Sequence, residues 1–267
     1  MPVWPEELAA DVEFLCDSLC EGRSMGTAGA NQAAFYILGR FRAAGYDTAV
    51  ESFEAAGRRG RNLLALPKGF NASEPFILVI SYYDGLGEIE GRLFPGADTN
   101  ASGVAALLAL ADVMRDIPTV SGRKIVFAAV DGHCCGMEGS HQLALRYKPY
   151  MVVNLDTMGS TLVPPTRGIH NYLIALGARL YANTLEQADV FGEMHFYYDY
   201  YRSDRFTELF YKRISDHKWW LSRRVPCIFF TSGITLNTNR EADTPDTLDY
   251  DIFAARVDII ARWLRGR

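Results

Sequence analysis

No window of this 267-residue chain holds the roughly 20 consecutive apolar residues a membrane-spanning helix needs, so no helical membrane span is expected. There is no basic stripe either. The short runs RRGR (58–61) and SRR (222–224) read as solvated loop charge, and the net charge is −5. Nucleic acid is therefore not an expected partner, because its binding rests on lysine and arginine neutralising phosphates. Cysteine is scarce: Cys16, Cys20, Cys134, Cys135 and Cys227 are odd in number and two are adjacent, which is no disulfide framework. Cys16 and Cys20 stand four apart on one face of an expected helix, where core packing accounts for them. Repeats, low-complexity tracts and linkers are missing, which predicts a single domain over 1–267. The opening residues MPVWPEELAADVEFLC lack the basic and apolar regions of a secretion signal. Two compartments stay open: the cytoplasm, or export with the leader removed.

What is present reads as an α/β protein. Residues 6–20 place Leu8, Val12, Leu15 and Leu19 at helical spacing, and a second helix is expected over 30–44, stopped by Gly45. Val50 to Phe53 and Asn62 to Leu66 read as strands. PFILVISYY (75–83), KIVFAAV (124–130), MVVNL (151–155) and PCIFFTS (226–232) are continuous apolar runs of strand length. Such runs suit strands buried on both faces. Helical patterns lie between and after them at 101–114, near 140–146 and at 251–264. This alternation predicts a three-layer α/β/α sandwich around a mixed, mostly parallel sheet. Residues 160–210, rich in tyrosine and including HFYYDYYRSDRF (195–206), read as an aromatic loop with helical pieces.

In open α/β sheets, ligands bind beyond the carboxyl ends of the strands. That rule points to YYDG (82–85), PGADTN (95–100), DGHCC (131–135), LDTMG (155–159) and NREADTPDT (239–247), all carrying carboxylates or other donors.

These segments carry a resemblance. EGRSMGTAGANQAAFYI (21–37), RNLLALPKG (61–69), PGADTNASGVAALLALA (95–111), VFAAVDGHCCGMEGS (126–140), VVNLDTMGS (152–160), SDHKWWLSRRVPCIFFTSG (215–233) and ADTPDT (242–247) resemble, in order, the segments of the zinc metallo-aminopeptidases related to bacterial leucyl aminopeptidases and glutaminyl cyclases. The resemblance implies a zinc-exopeptidase fold. It also implies which positions would carry the chemistry. The first histidine ligand falls on Tyr82, the bridging aspartate on Thr99, the general-base glutamate on His133 and the neighbouring glutamate ligand on Cys134. An aspartate ligand is kept as Asp156, and the final histidine ligand falls on Asp243. Five of the six positions are thus substituted. The bridge is the most damaging loss, because it serves both ions. Asp98 adjoins Thr99, but one step along the chain redirects the side chain.

Each position has two readings. Asp156 is a surviving metal ligand, or a strand-end carboxylate bonded to loop amides. Cys134 is a thiolate ligand, or a small thiol in a tight loop. His133 replaces the general base, or lines the pocket without catalysing. A His133–Cys134 nucleophilic pair is disfavoured, because adjacent residues rarely face one another. Asp216 and His217 support the loop beneath the site, and His217 is counted with the pocket. Tyr82, Tyr83 and 196–201 form a binding wall, or core. The favoured expectation is an aminopeptidase-fold homologue without zinc-dependent peptidase activity and with no cofactor. Its pocket, made of Tyr82, Asp98, Thr99, His133, Cys134, Asp156, His217 and Asp243, would take a peptide end, a small amine or a partner. The alternative is an active metallo-aminopeptidase or cyclase-like hydrolase. It would hold zinc at a rebuilt single site drawn from Cys134, Asp156, Asp243 and Asp98.

Overall fold

The computed structural model describes residues 2–117, 122–200 and 203–266. Helix α1 (Pro5–Cys16) is followed by a 3-10 segment, Ser18–Arg23, and by α2 (Ala28–Ala43). The single helix expected over 6–20 is therefore broken. Asp17 ends it, because its carboxylate accepts from the Leu19 amide at 2.8 Å and starts a new turn. Cys16 and Cys20 accordingly do not share one helix face: their thiols donate to Pro95 and Phe14 carbonyls respectively.

Strands β1 (Asp47–Ala55) and β2 (Arg58–Leu66) form a hairpin across Ala56 and Gly57, both at positive φ, the conformation of a two-residue I′ turn. Next come β3 (Phe76–Tyr82), the small β4 (Gly87–Ile89) and β5 (Arg92–Phe94) pair, and α3 (Ser102–Met114). β6 (Lys124–Val130), α4 (Glu138–Arg146), β7 (Met151–Leu155), β8 (Tyr172–Leu176), α5 (Ala182–Glu186), β9 (His195–Tyr197), α6 (Asp204–Tyr211), α7 (Lys218–Ser222), β10 (Cys227–Thr231) and α8 (Tyr250–Arg265) complete the chain.

Eight strands form one sheet in the order β1-β2-β6-β3-β7-β10-β8-β9. The central run β6-β3-β7-β10 is parallel, while β1-β2, β2-β6 and β10-β8 pair antiparallel. The mixed, mostly parallel three-layer sandwich is the architecture expected. The period-two geometry of a strand divides its side chains between two cores. From β3, Ile77 and Val79 face the layer of α1, α2, α3 and α8. Phe76, Leu78, Ile80 and Tyr82 face the opposite core, which Leu143 of α4 and Trp220 of α7 close.

Residues 160–210 depart from expectation. β8, a fully buried strand, and β9 extend the sheet where only loop and helical pieces were expected. The aromatic reading of 195–206 holds Phe196 and Tyr197 in β9, and its residues 201 and 202 lie outside the described residues.

Candidate functional site

Because β3, β6, β7 and β10 run parallel, their carboxyl ends open at one edge of the sheet. There a cavity of about 370 Å³ is floored by Tyr82 and Asp156, walled by His133 and Cys134, and flanked by Thr99 and Thr231. Tyr200, Phe210, Ile214 and Phe229 close the far side with apolar surface.

His133 is held from two sides. Its ring lies flat on Tyr82, centroids 3.7 Å apart and planes 14° from parallel, and its Nδ1 lies 2.6 Å from Asp216 Oδ2. The turn that carries it is fixed from below. The Asp84 carboxylate accepts from the His133 amide at 2.9 Å and the Cys134 amide at 3.0 Å. Burial opposes a charge on His133, but the Asp216 carboxylate and its hydrogen bond, helped by Asp156 and Asp84, overcome this and hold the ring up at about 9. Burial together with Asp84 pushes the Cys134 thiol up, away from the thiolate a metal or nucleophilic role requires.

Asp156 follows β7 directly and is buried at the cavity floor. Desolvation raises its pKa, against the pull of His133 and hydrogen bonding from Ser215 and Tyr82. Asp98 and Asp243 are turned elsewhere. Asp98 Oδ1 accepts from the Gly159 amide at 2.9 Å, the Ser160 amide at 3.3 Å and Ser102 Oγ at 3.1 Å. Asp243 spends one oxygen on the Asp98 amide at 2.8 Å and the other on the Thr99 amide at 3.0 Å.

His217 is fully buried behind the cavity wall rather than on it. Its Nδ1 accepts from Asn154 Nδ2 at 3.0 Å, and its Nε2 donates to the Tyr211 carbonyl at 2.7 Å. Both bonds suit a neutral ring, and burial lowers its pKa to about 4. Of the expected pocket residues, then, Tyr82, Thr99, His133, Cys134 and Asp156 meet at the cavity, while Asp98, Asp243 and His217 lie outside its lining. Asp84 and Asp216 organise the site more directly than sequence position suggests. Their partners, 49 and 83 residues away, leave no local signal.

A zinc site needs about four converging donors. The oxygens of Asp243 are engaged by backbone amides and those of Asp98 by amides and the Ser102 and Ser232 hydroxyls, Tyr82 is covered by His133, and Cys134 is held as a thiol. Among the described residues no group of three or more His, Cys, Asp and Glu side chains is placed to hold a metal ion. The residues present do not fit the zinc set.

The His133 contact should be visible in solution. Its folded pKa lies above the ordinary value of about 6.5, so the ion pair stabilises fully below about pH 6.5, and this contribution is lost as pH rises through about 9. A histidine-detected NMR titration is expected to give one ring titrating near 9, and Asp216→Asn to move that midpoint down; a midpoint near 6.5 in the unmodified protein refutes the pairing.

The search of curated protein sequences returned no match. Solved structures do match. LapA aminopeptidase of Legionella pneumophila superposes with a TM-score of 0.75 at 15% identity, covering 99% of this chain and 72% of that one. A Zn-dependent exopeptidase from Parabacteroides distasonis superposes at 0.75 with 14% identity, covering 100% and 99%. Glutaminyl cyclase of Tannerella forsythia does so at 0.75 with 16% identity, covering all of both chains. At these identities the likeness carries the fold. A sequence-family model goes further: residues 62–264 match that of peptidase family M28, so the chain belongs to that family.

Proposed function

We propose that this chain is a non-catalytic member of family M28 whose cavity binds a small amine or the amino end of a peptide through Asp156. One observation carries the loss of catalysis: the ring of His133 is pressed on Tyr82 and bonded to Asp216. By resemblance these two positions belong to the general base and to a metal ligand. Here they contact each other, and the base position holds a proton up to about pH 9. A base must be free to take a proton near the working pH.

The amine preference follows from charge. Three buried aspartates, Asp84, Asp156 and Asp216, surround a single imidazolium. Asp156 is the one of the three that lines the cavity. A ligand ammonium beside it would offset the desolvation that now raises its pKa.

The test joins metal content with turnover. The protein, equilibrated with zinc and desalted, is expected to retain no stoichiometric metal and to leave leucine p-nitroanilide intact. Leucinamide is expected to bind by calorimetry. About one tightly held zinc per chain, with hydrolysis that a chelator abolishes, would overturn the proposal in favour of a rebuilt metal site.

A further inference from the structure

The five cysteines divide into two groups. Cys16, Cys20 and Cys227 are anchored, their thiols donating to the carbonyls of Pro95, Phe14 and Val225. Cys134 and Cys135 have no such anchorage. They are neighbours on the turn His133–Cys135, with Cys134 exposed on the cavity wall and Cys135 half-buried beside it. The Cys134 thiol is hydrogen-bonded to the Asp84 carboxylate. Among the described residues the Cys135 thiol has no hydrogen-bond partner.

A 3-10 turn has about three residues per turn, so successive side chains diverge. Joining the two sulfurs therefore requires the turn to change, and its flanks permit that. Gly132 and Gly136 lie at φ 73° and 80°, a region glycine enters and leaves at no steric cost. A Cβ on Gly136 would meet nothing within 4 Å, so the outer flank has room to move. The bonds at stake are the Cys135 amide to the Gly132 carbonyl at 3.1 Å, and the amides of His133 and Cys134 to Asp84.

The two sulfurs also differ in surroundings. Cys134 is held as a thiol by burial and Asp84. At Cys135 the Arg58 guanidinium favours the thiolate, against burial and Asp84. One sulfur is thus suited to attack first and its neighbour to follow, with a carboxylate already bonded to the proton that must leave.

We propose that Cys134 and Cys135 are a modification site: a peroxide joins them in a reversible disulfide, and its closure remodels the cavity wall at His133. The Cys135 thiolate attacks one oxygen of hydrogen peroxide, the O–O bond breaks, and the departing hydroxide takes up the proton that Cys135 had released. Cys135 is then a sulfenic acid. The Cys134 sulfur attacks the Cys135 sulfur, the S–O bond breaks, and Asp84 passes the Cys134 proton to the second hydroxide. Two thiols are oxidised and one hydrogen peroxide is reduced to two waters. Adjacent Cα atoms stand about 3.8 Å apart, below the usual disulfide range of about 4.4–6.8 Å, so the bond is strained and readily reduced. This inference does not depend on the amine-binding reading.

Mass spectrometry tests the linkage directly, because the tryptic peptide of residues 125–146 carries both cysteines and no other. The folded protein is treated with excess hydrogen peroxide, alkylated and digested. That peptide is expected to lose two hydrogens and take no alkyl group, and to accept two alkyl groups once dithiothreitol is added. Cys16, Cys20 and Cys227 should remain thiols. In Cys134→Ser, dimedone should trap a sulfenic acid on Cys135. The NMR midpoint of His133, near 9 in the reduced protein, should shift down in the disulfide form and return on reduction. Reduced Cys134→Ser should keep the midpoint near 9, which also shows that the variant is folded.

Two thiols left unreacted in peroxide would overturn the proposal. So would sulfenic or sulfinic acid without the link, or a disulfide that joins two chains. A disulfide that forms while the His133 midpoint stays near 9 would overturn the control of the cavity wall.

Discussion

Replacing Arg23 by methionine is expected to lower the stability of the folded protein by about 4 kcal/mol, the range for stranding several buried polar groups at once. The guanidinium is fully buried, with 0% exposure. Its bonds go to carbonyl oxygens: Nε to Tyr83 at 3.0 Å, Nη1 to Pro95 at 2.8 Å and to Leu15, and Nη2 to Gly96 at 2.8 Å. These four acceptors come from α1, from the end of β3 and from the loop before α3. One side chain thus ties α1 to the two segments, after β3 and before α3, that carry Gly85, Leu86 and Thr99 into the cavity lining. The backbone around it is held against its own preference. Glu21, Gly22 and Arg23 all lie at positive φ, which a non-glycine residue adopts only when its surroundings enforce it. Gly22 has no alternative, since a Cβ there would meet the Phe94 carbonyl oxygen at 2.6 Å. Arg23→Lys should fall between the native protein and Arg23→Met, because an ammonium keeps the charge but cannot span the four carbonyls. Urea unfolding of the three proteins checks the order. A loss under about 1 kcal/mol in Arg23→Met would show that water satisfies these carbonyls instead.

The fold was legible where burial is two-sided. β3, β6, β7 and β10 are wholly or almost wholly buried, so their sequences are unbroken apolar runs with boundaries within a residue of those expected. β8 is just as buried, yet YLIAL sits between polar, glycine-containing stretches inside a tyrosine-rich region. Its membership of the sheet comes from antiparallel pairing with β10, over fifty residues later. No local pattern records that.

The site was legible as a set of residue types and positions, and much less so as a set of directions. Asp98 and Asp243 are carboxylates in segments matching the family, which made them natural candidates for a rebuilt metal site. In the structure each is turned back onto amides of neighbouring loops. The sequence cannot carry this, because a side chain's aim in an irregular loop depends on the loops it packs against. The same holds for Asp216. The sequence placed it near the site as a support, while its 2.6 Å contact with His133 makes it the partner that sets the charge of the cavity wall. The two substitutions at Tyr82 and His133, read separately, are two losses. Together they are one stacked contact, visible only when the ends of β3 and β6 lie side by side.

Asp156→Asn should separate function from stability more sharply than any other change in the cavity. Under the amine-binding proposal it removes the charge that receives the ligand ammonium, and leucinamide affinity is expected to fall about 100-fold, in line with truncating one partner of a desolvated charge pair. Stability should move the other way. Burial raises the Asp156 pKa above its unfolded value, so folding carries a cost for keeping this carboxylate ionised. A neutral isostere relieves that penalty, and the melting temperature should hold or rise. The sign distinguishes Asp156 from Asp84. Asp84 is also buried with a raised pKa, but its two oxygens hold the amides of His133 and Cys134. Asp84→Asn turns one of those acceptors into a donor facing an amide, so it should destabilise. A purely structural Asp156 would show the reverse pattern: a lower melting temperature and unchanged leucinamide binding. That outcome would remove the ligand-binding role at the position that, alone among the six, keeps the family's residue.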